Sequence, residues 1–170
     1  PIYRYDVPEG PPPRRAAIDL FDDVMVIEWR YNSGEPWYIL VSALNMSNYN
    51  VLWIREFHGI ARAVRWGEYV LVISCTMVLN NTHNVSVLYI DPVNGNILKQ
   101  YSYLVSVDTD IGVFVLRDLS GYYSTFGYVI FGHREVYIFD PGTGGWYTYE
   151  VSKPIYYIST GSRYNNYYAI

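Results

Sequence analysis

The chain carries one cysteine, Cys75. That excludes an internal disulfide and a multi-cysteine metal site, and leaves Cys75 as a small apolar core residue. No apolar run approaches the ~18 residues a membrane-spanning helix needs. The longest, Tyr69 to Leu79, is interrupted by Ser74 and Thr76 and fits a buried strand better. Charge is scarce: 12 basic and 16 acidic residues leave a net charge of −4 and a pI near 5.3. No basic field therefore advertises nucleic-acid binding. Glutamine is reduced to Gln100, and ten arginines stand against two lysines, a bias that suits a heat-adapted source. Helical periodicity is missing over any useful length.

What remains is a strand-forming composition. Half the residues are hydrophobic, which excludes disorder, and twenty tyrosines with five tryptophans suit a pleated, half-buried surface. The chain opens at Pro1, and Tyr167-Tyr168-Ala169-Ile170 reads as a strand at its other end. These ends lead us to expect a processed product or an excerpt of a longer chain, for which a missing signal peptide says nothing about compartment.

Internal repetition organises the sequence. Val87-Leu88-Tyr89-Ile90 runs into Asp91-Pro92-Val93-Asn94-Gly95, and Val136-Tyr137-Ile138-Phe139 runs into Asp140-Pro141-Gly142-Thr143-Gly144, with Asp91 and Asp140 49 residues apart. A weaker copy, Leu40 to Asn50, places Asn45 46 residues before Asp91. An Asp or Asn at the first turn position bonds forward to backbone N–H groups, and Pro presets the next φ. Gly95 and Gly144 supply a positive φ at little steric cost. These are structural hairpin turns that need no ligand. A second register agrees: Ile2 to Val7, Tyr101 to Val105 and Trp146 to Val151 are alike, at multiples of 46 to 49 residues.

The expected fold is therefore all-β and propeller-like, with about three four-stranded antiparallel blades and partial blades at both ends. Residues 1–14 supply the last strand of a preceding or closing blade plus a Pro-rich connection. Blades follow at 15–57, 59–105 and 106–151, and a further one starts at 154–170. The turns at 91 to 95 and 140 to 144, with their apolar leads, resemble the repeats of pyrroloquinoline-quinone-type (quinoprotein-like) propellers. The strands Ile97-Leu98-Lys99 and Trp146-Tyr147 stand where that family places the following strand. The resemblance covers the outer half of about three repeats and implies a propeller. A catalytic member would also need a full ring, a quinone site and a calcium site, and none of those site motifs is visible. A ring of seven or eight blades would need roughly 320 to 400 residues at this period, so either the chain is an excerpt or the ring has four blades.

Candidate sites follow from that topology. His58 falls in a loop joining blades, and His83 and His133 in loops joining second and third strands, all on one face. They sit at no metal-ligand spacing and read as solvated loop histidines. Asp108 and Asp110 have the outline of a calcium loop but lack its glycine and distal glutamate, and read as a turn. Together with Asn80 and Arg134 these residues make up the expected partner-binding loops. Asp22-Asp23 reads as a turn between strands. Asn45, Asn80 and Asn84 open glycosylation acceptor patterns, which point to a secreted, cell-surface or virion location. Exposed tyrosines could stack sugars or anchor a protein.

No cofactor, structural metal or catalytic residue is expected. The leading expectation is a non-catalytic propeller module presenting a loop face to a protein or glycan partner. The alternatives are a filament or virion subunit that self-associates by strand exchange at open edges, and a fragment of a quinoprotein-like dehydrogenase.

Overall fold

The computed structural model describes residues 15–31, 38–79, 82–106, 112–117, 125–131, 135–150, 152, 160–163 and 166–169. Among them there is no helix. Short apolar alternations broken by connections of two to seven residues produce antiparallel meanders, because each strand pairs most cheaply with its immediate successor. Strands β1 (Arg15–Phe21), β2 (Val24–Tyr31), β3 (Tyr38–Asn45) and β4 (Val51–His58) form the first sheet in that order. The second sheet is β5 (Ile60–Trp66), β6 (Tyr69–Leu79), β7 (Thr82–Ile90) and β8 (Ile97–Ser106). The third is β9 (Gly112–Arg117), β10 (Thr125–Phe131), β11 (Glu135–Asp140) and β12 (Gly145–Glu150). A hairpin of β13 (Thr160–Arg163) and β14 (Asn166–Ala169) follows. The segments 87–90 and 136–139 thus lie in the third strands of two separate sheets.

The three repeat turns share one geometry. The backbone N–H groups of Val93 and Asn94 donate to Asp91 Oδ1 at 2.7 and 3.4 Å, and Gly95 N–H donates to Asp91 O at 2.9 Å. At Asp140 the donors are Gly142 N–H (2.8 Å) to Oδ1 and Gly144 N–H (2.8 Å) to the carbonyl. In the first copy Ser47 and Asn48 donate to Asn45 Oδ1 at 2.8 and 3.3 Å, and Tyr49 N–H donates to Asn45 O at 2.7 Å. Gly95 and Gly144 both take φ of +71°, and Tyr49 takes +60° in the position they occupy.

The sheets stack face to face. Val26, Val41 and Trp53 of the first pack on Ala63, Val72 and Ile90 of the second. On its other face the second sheet offers Leu71, Ile73, Val85 and Val87 to Phe139 of the third. Being covered on both sides makes β6 a nearly unbroken apolar run, the pattern of a doubly buried strand. The first strands lie side by side, β5 in contact with both β1 and β9.

Polar links reinforce the stack. Asp19 Oδ2 accepts from Arg65 N–H and Glu28 Oε2 from Ala63 N–H, both at 3.0 Å. Two buried carboxylates of the first sheet therefore cover backbone donors on the edge strand β5, which would otherwise need water or another chain. Trp53 Nε1 donates to Pro92 O at 2.8 Å, and the Tyr89 hydroxyl donates to Pro141 O at 2.6 Å. Each Asp-Pro turn is thus held by an aromatic residue of the preceding sheet.

Candidate functional site

In a four-stranded meander the first-to-second and third-to-fourth turns share one end, the hairpin end. The second-to-third turns and the connections between sheets share the other, the loop end. The loop-end set expected from sequence divides on inspection. Asn80, Asp108, Asp110, His133 and Arg134 lie outside the described residues. His58 ends β4 with its side chain 62% exposed, and its Nε2 lies 3.1 Å from Glu56 Oε1. His83 departs from the expectation of a solvated loop histidine. It sits in β7, paired with Met77 on one side and Val105 on the other, and is 8% exposed. Its Nδ1 has no hydrogen-bond partner among the described residues. The physical reason is that β6 and β7 run past β5, whose last pairing at that end is Ile60 with Cys75, so strand pairing continues where a loop was expected.

That overrun has a second consequence. Met77, Val78 and Leu79 on β6 are 73, 60 and 72% exposed, and Leu104 on β8 is 74% exposed. Four large apolar side chains thus stand exposed at one end of one sheet, with Leu79 (paired with Thr82) and Leu104 (paired with Asn84) on one face and Met77 (paired with His83) on the other. Exposed apolar groups of this kind are typical of contact surfaces. Periodicity could not single them out, because Met77 to Leu79 continue the same apolar run that is buried further back along β6.

The hairpin end holds a cleft of about 520 Å³ between the first two sheets. Its apolar lining includes Phe21, Val24, Tyr69 and Leu98, and Asp22, Asp23, Glu68 and Arg65 stand around it. Arg65 is committed: its Nε donates to Gly67 O at 3.0 Å, Nη1 to Leu20 O, and the guanidinium lies 4.9 Å from the Phe21 ring centre. Sequence reasoning saw Asp22-Asp23 only as a turn. The usable signal was that the two-residue turns 22–23 and 67–68 recur 45 residues apart, close to the repeat spacing of 46 to 49.

Of the glycosylation patterns, Asn45 uses its side-chain oxygen to hold its own turn, Asn84 is half-buried in the middle of the second sheet, and Asn80 is outside the described residues. The tyrosines divide as alternation dictates. Tyr69, Tyr89, Tyr101 and Tyr103 join Phe139 and Trp146 in a ring cluster between the second and third sheets. Tyr147 and Tyr149 are 51 and 54% exposed. Burial pushes the Cys75 thiol up to about 12. The Tyr89 hydroxyl is also raised to about 12, chiefly by burial and then by Tyr101, Asp140 and Tyr103. Among the described residues no group of three His, Cys, Asp or Glu side chains could hold a metal ion, and no helix is long and apolar enough to cross a membrane.

No family model matches the chain, and neither a curated protein nor a solved structure does so.

Proposed function

We propose that this chain is a run of β-propeller blades of quinoprotein-like type, acting as a non-catalytic scaffold that binds a protein partner at its loop end. The propeller reading is supported by three successive meanders of identical strand order, stacked face to face with their first strands adjacent. The partner reading rests on one observation, the exposure of Met77, Val78, Leu79 and Leu104 at the loop end of the second sheet. Such apolar side chains favour a protein over a glycan, since sugars need polar groups around an aromatic platform. With Asn45 engaged in its turn and Asn84 half-buried within a sheet, the acceptor pattern at Asn80 is what favours a location outside the cell or on a virion.

The test compares partners retained by the wild-type chain, by Leu79→Ser with Leu104→Ser, and by Glu68→Gln at the hairpin end. Exposed positions tolerate such changes within about 0.5 kcal/mol, so folding is preserved. Binding lost in the loop-end variant and kept in Glu68→Gln supports the reading. Binding indifferent to the loop-end variant, or lost only with Glu68→Gln, refutes it.

A further inference from the structure

Three ligand-forming side chains lie on one face of the β6–β7 hairpin, in neighbouring rows of its register. Met77 is paired directly with His83, and Cys75 precedes Met77 by two residues on the same strand. Paired residues share a face, as do residues two apart on one strand, and directly opposed Cβ atoms lie about 4.5–5.5 Å apart. Val105, 5% exposed, is paired with His83 from the far side and closes the row. The His83 ring is buried with Nδ1 unpartnered among the described residues, and a buried polar atom in that condition calls for an explanation.

The chemistry of the surroundings narrows it. Strands β6, β7 and β8 contain no Asp or Glu along their whole length. Imidazole, thioether and thiol are neutral and, in the two sulfur groups, soft. Hard divalent ions prefer oxygen, and any divalent ion here would keep most of its charge uncompensated in a half-buried site. A soft monovalent ion suits both the donor set and the lack of counter-charge. Met77 is 73% exposed at the outer end of the strand, while Cys75, two residues back, is 2% exposed.

We propose that His83 Nδ1 and Met77 Sδ, with the Cys75 thiol behind them, bind a single soft monovalent cation of the Cu(I) type. This goes beyond the partner-binding reading and shares only Met77 with it, since His83 and Cys75 take no part in that reading. Cys75 is the least accessible of the three donors, so the two strand-paired residues supply most of the affinity.

Ag(I), the redox-silent analogue, tests this on the folded chain by NMR of the Met methyl and His ring resonances. The expected result is one equivalent bound, with Met77 and His83 resonances shifting together. Met77→Leu and His83→Gln should each weaken binding at least tenfold, and Cys75→Ala less than threefold. Met77→Leu conserves volume at an exposed position, so it keeps the test informative if His83→Gln does not fold. Binding abolished by Cys75→Ala yet unchanged in Met77→Leu would mean simple thiol capture and overturn the proposal. So would Zn(II) binding as tightly as Ag(I).

Discussion

Tyr49 holds a φ of +60° in a turn whose counterparts are Gly95 and Gly144, both at +71°. A residue with a Cβ is strained there by about 1–2 kcal/mol. Tyr49→Gly should therefore raise stability by about 1 kcal/mol, seen as a higher urea midpoint at unchanged slope. The converse is steeper at Gly95, where an added Cβ would sit 2.7 Å from the Trp53 ring. Gly67, at +56°, faces open space. Gly95→Ala should cost more than Gly67→Ala by at least about 1 kcal/mol, and equal losses would show that the ring yields freely. Tyr89 makes a pH prediction. Its phenol rises from 10.0 to about 12 on folding, so its stabilisation is whole below pH 10 and is lost as pH climbs through about 12. Cys75, raised from 9.0 to about 12, extends the window of loss down to pH 9. Tyr89→Phe should cost about 1–2 kcal/mol at pH 7, because Pro141 O loses its donor. It should also flatten the alkaline decline above pH 10, which urea titrations at pH 8 and 11 will reveal.

At the scale of the element, the edge of β5 is guarded by carboxylates rather than by a neighbouring strand. Glu28 is 3% exposed, accepts from Ala63 N–H and pairs with Arg30 through its other oxygen. Glu28→Ala removes the acceptor and strands the guanidinium, so a loss of about 3–5 kcal/mol is expected. Glu28→Gln keeps an acceptor for Ala63 and should cost roughly half as much. Hydrogen exchange at the Ala63 amide separates the two: it should accelerate strongly in Glu28→Ala and little in Glu28→Gln. Equal acceleration in both would mean that charge, not the hydrogen bond, protects the edge.

For the whole molecule, the second sheet is the shared element, with Val72 turned to the first sheet and Leu71 to the third. Stacked repeats draw their stability from nearest-neighbour interfaces. Leu71→Ala should cost about 2–5 kcal/mol. Because the middle sheet serves both interfaces, amides of β3 and β11 should lose protection together. Protection retained in β3 while β11 exchanges freely would show that the sheets open one at a time.

The strands and turns were legible in the sequence because their causes are local. Alternation in Val87 to Ile90, the forward-bonding Asp91 and Asp140, and the glycines four residues on act within a few residues of one another. The repeat spacing exposed the same unit three times. Tertiary structure decided what depends on register and stacking. His83 became a buried strand residue because β6 and β7 outrun β5, and no spacing records where a neighbouring strand stops. Asp22, Asp23 and Glu68 share a cleft, and Asp19 and Glu28 reach β5, because two sheets pack face to face. Cys75, Met77 and His83 meet because a hairpin register pairs Met77 with His83. Periodicity tells which residues share a face of one strand, and only packing tells what that face meets.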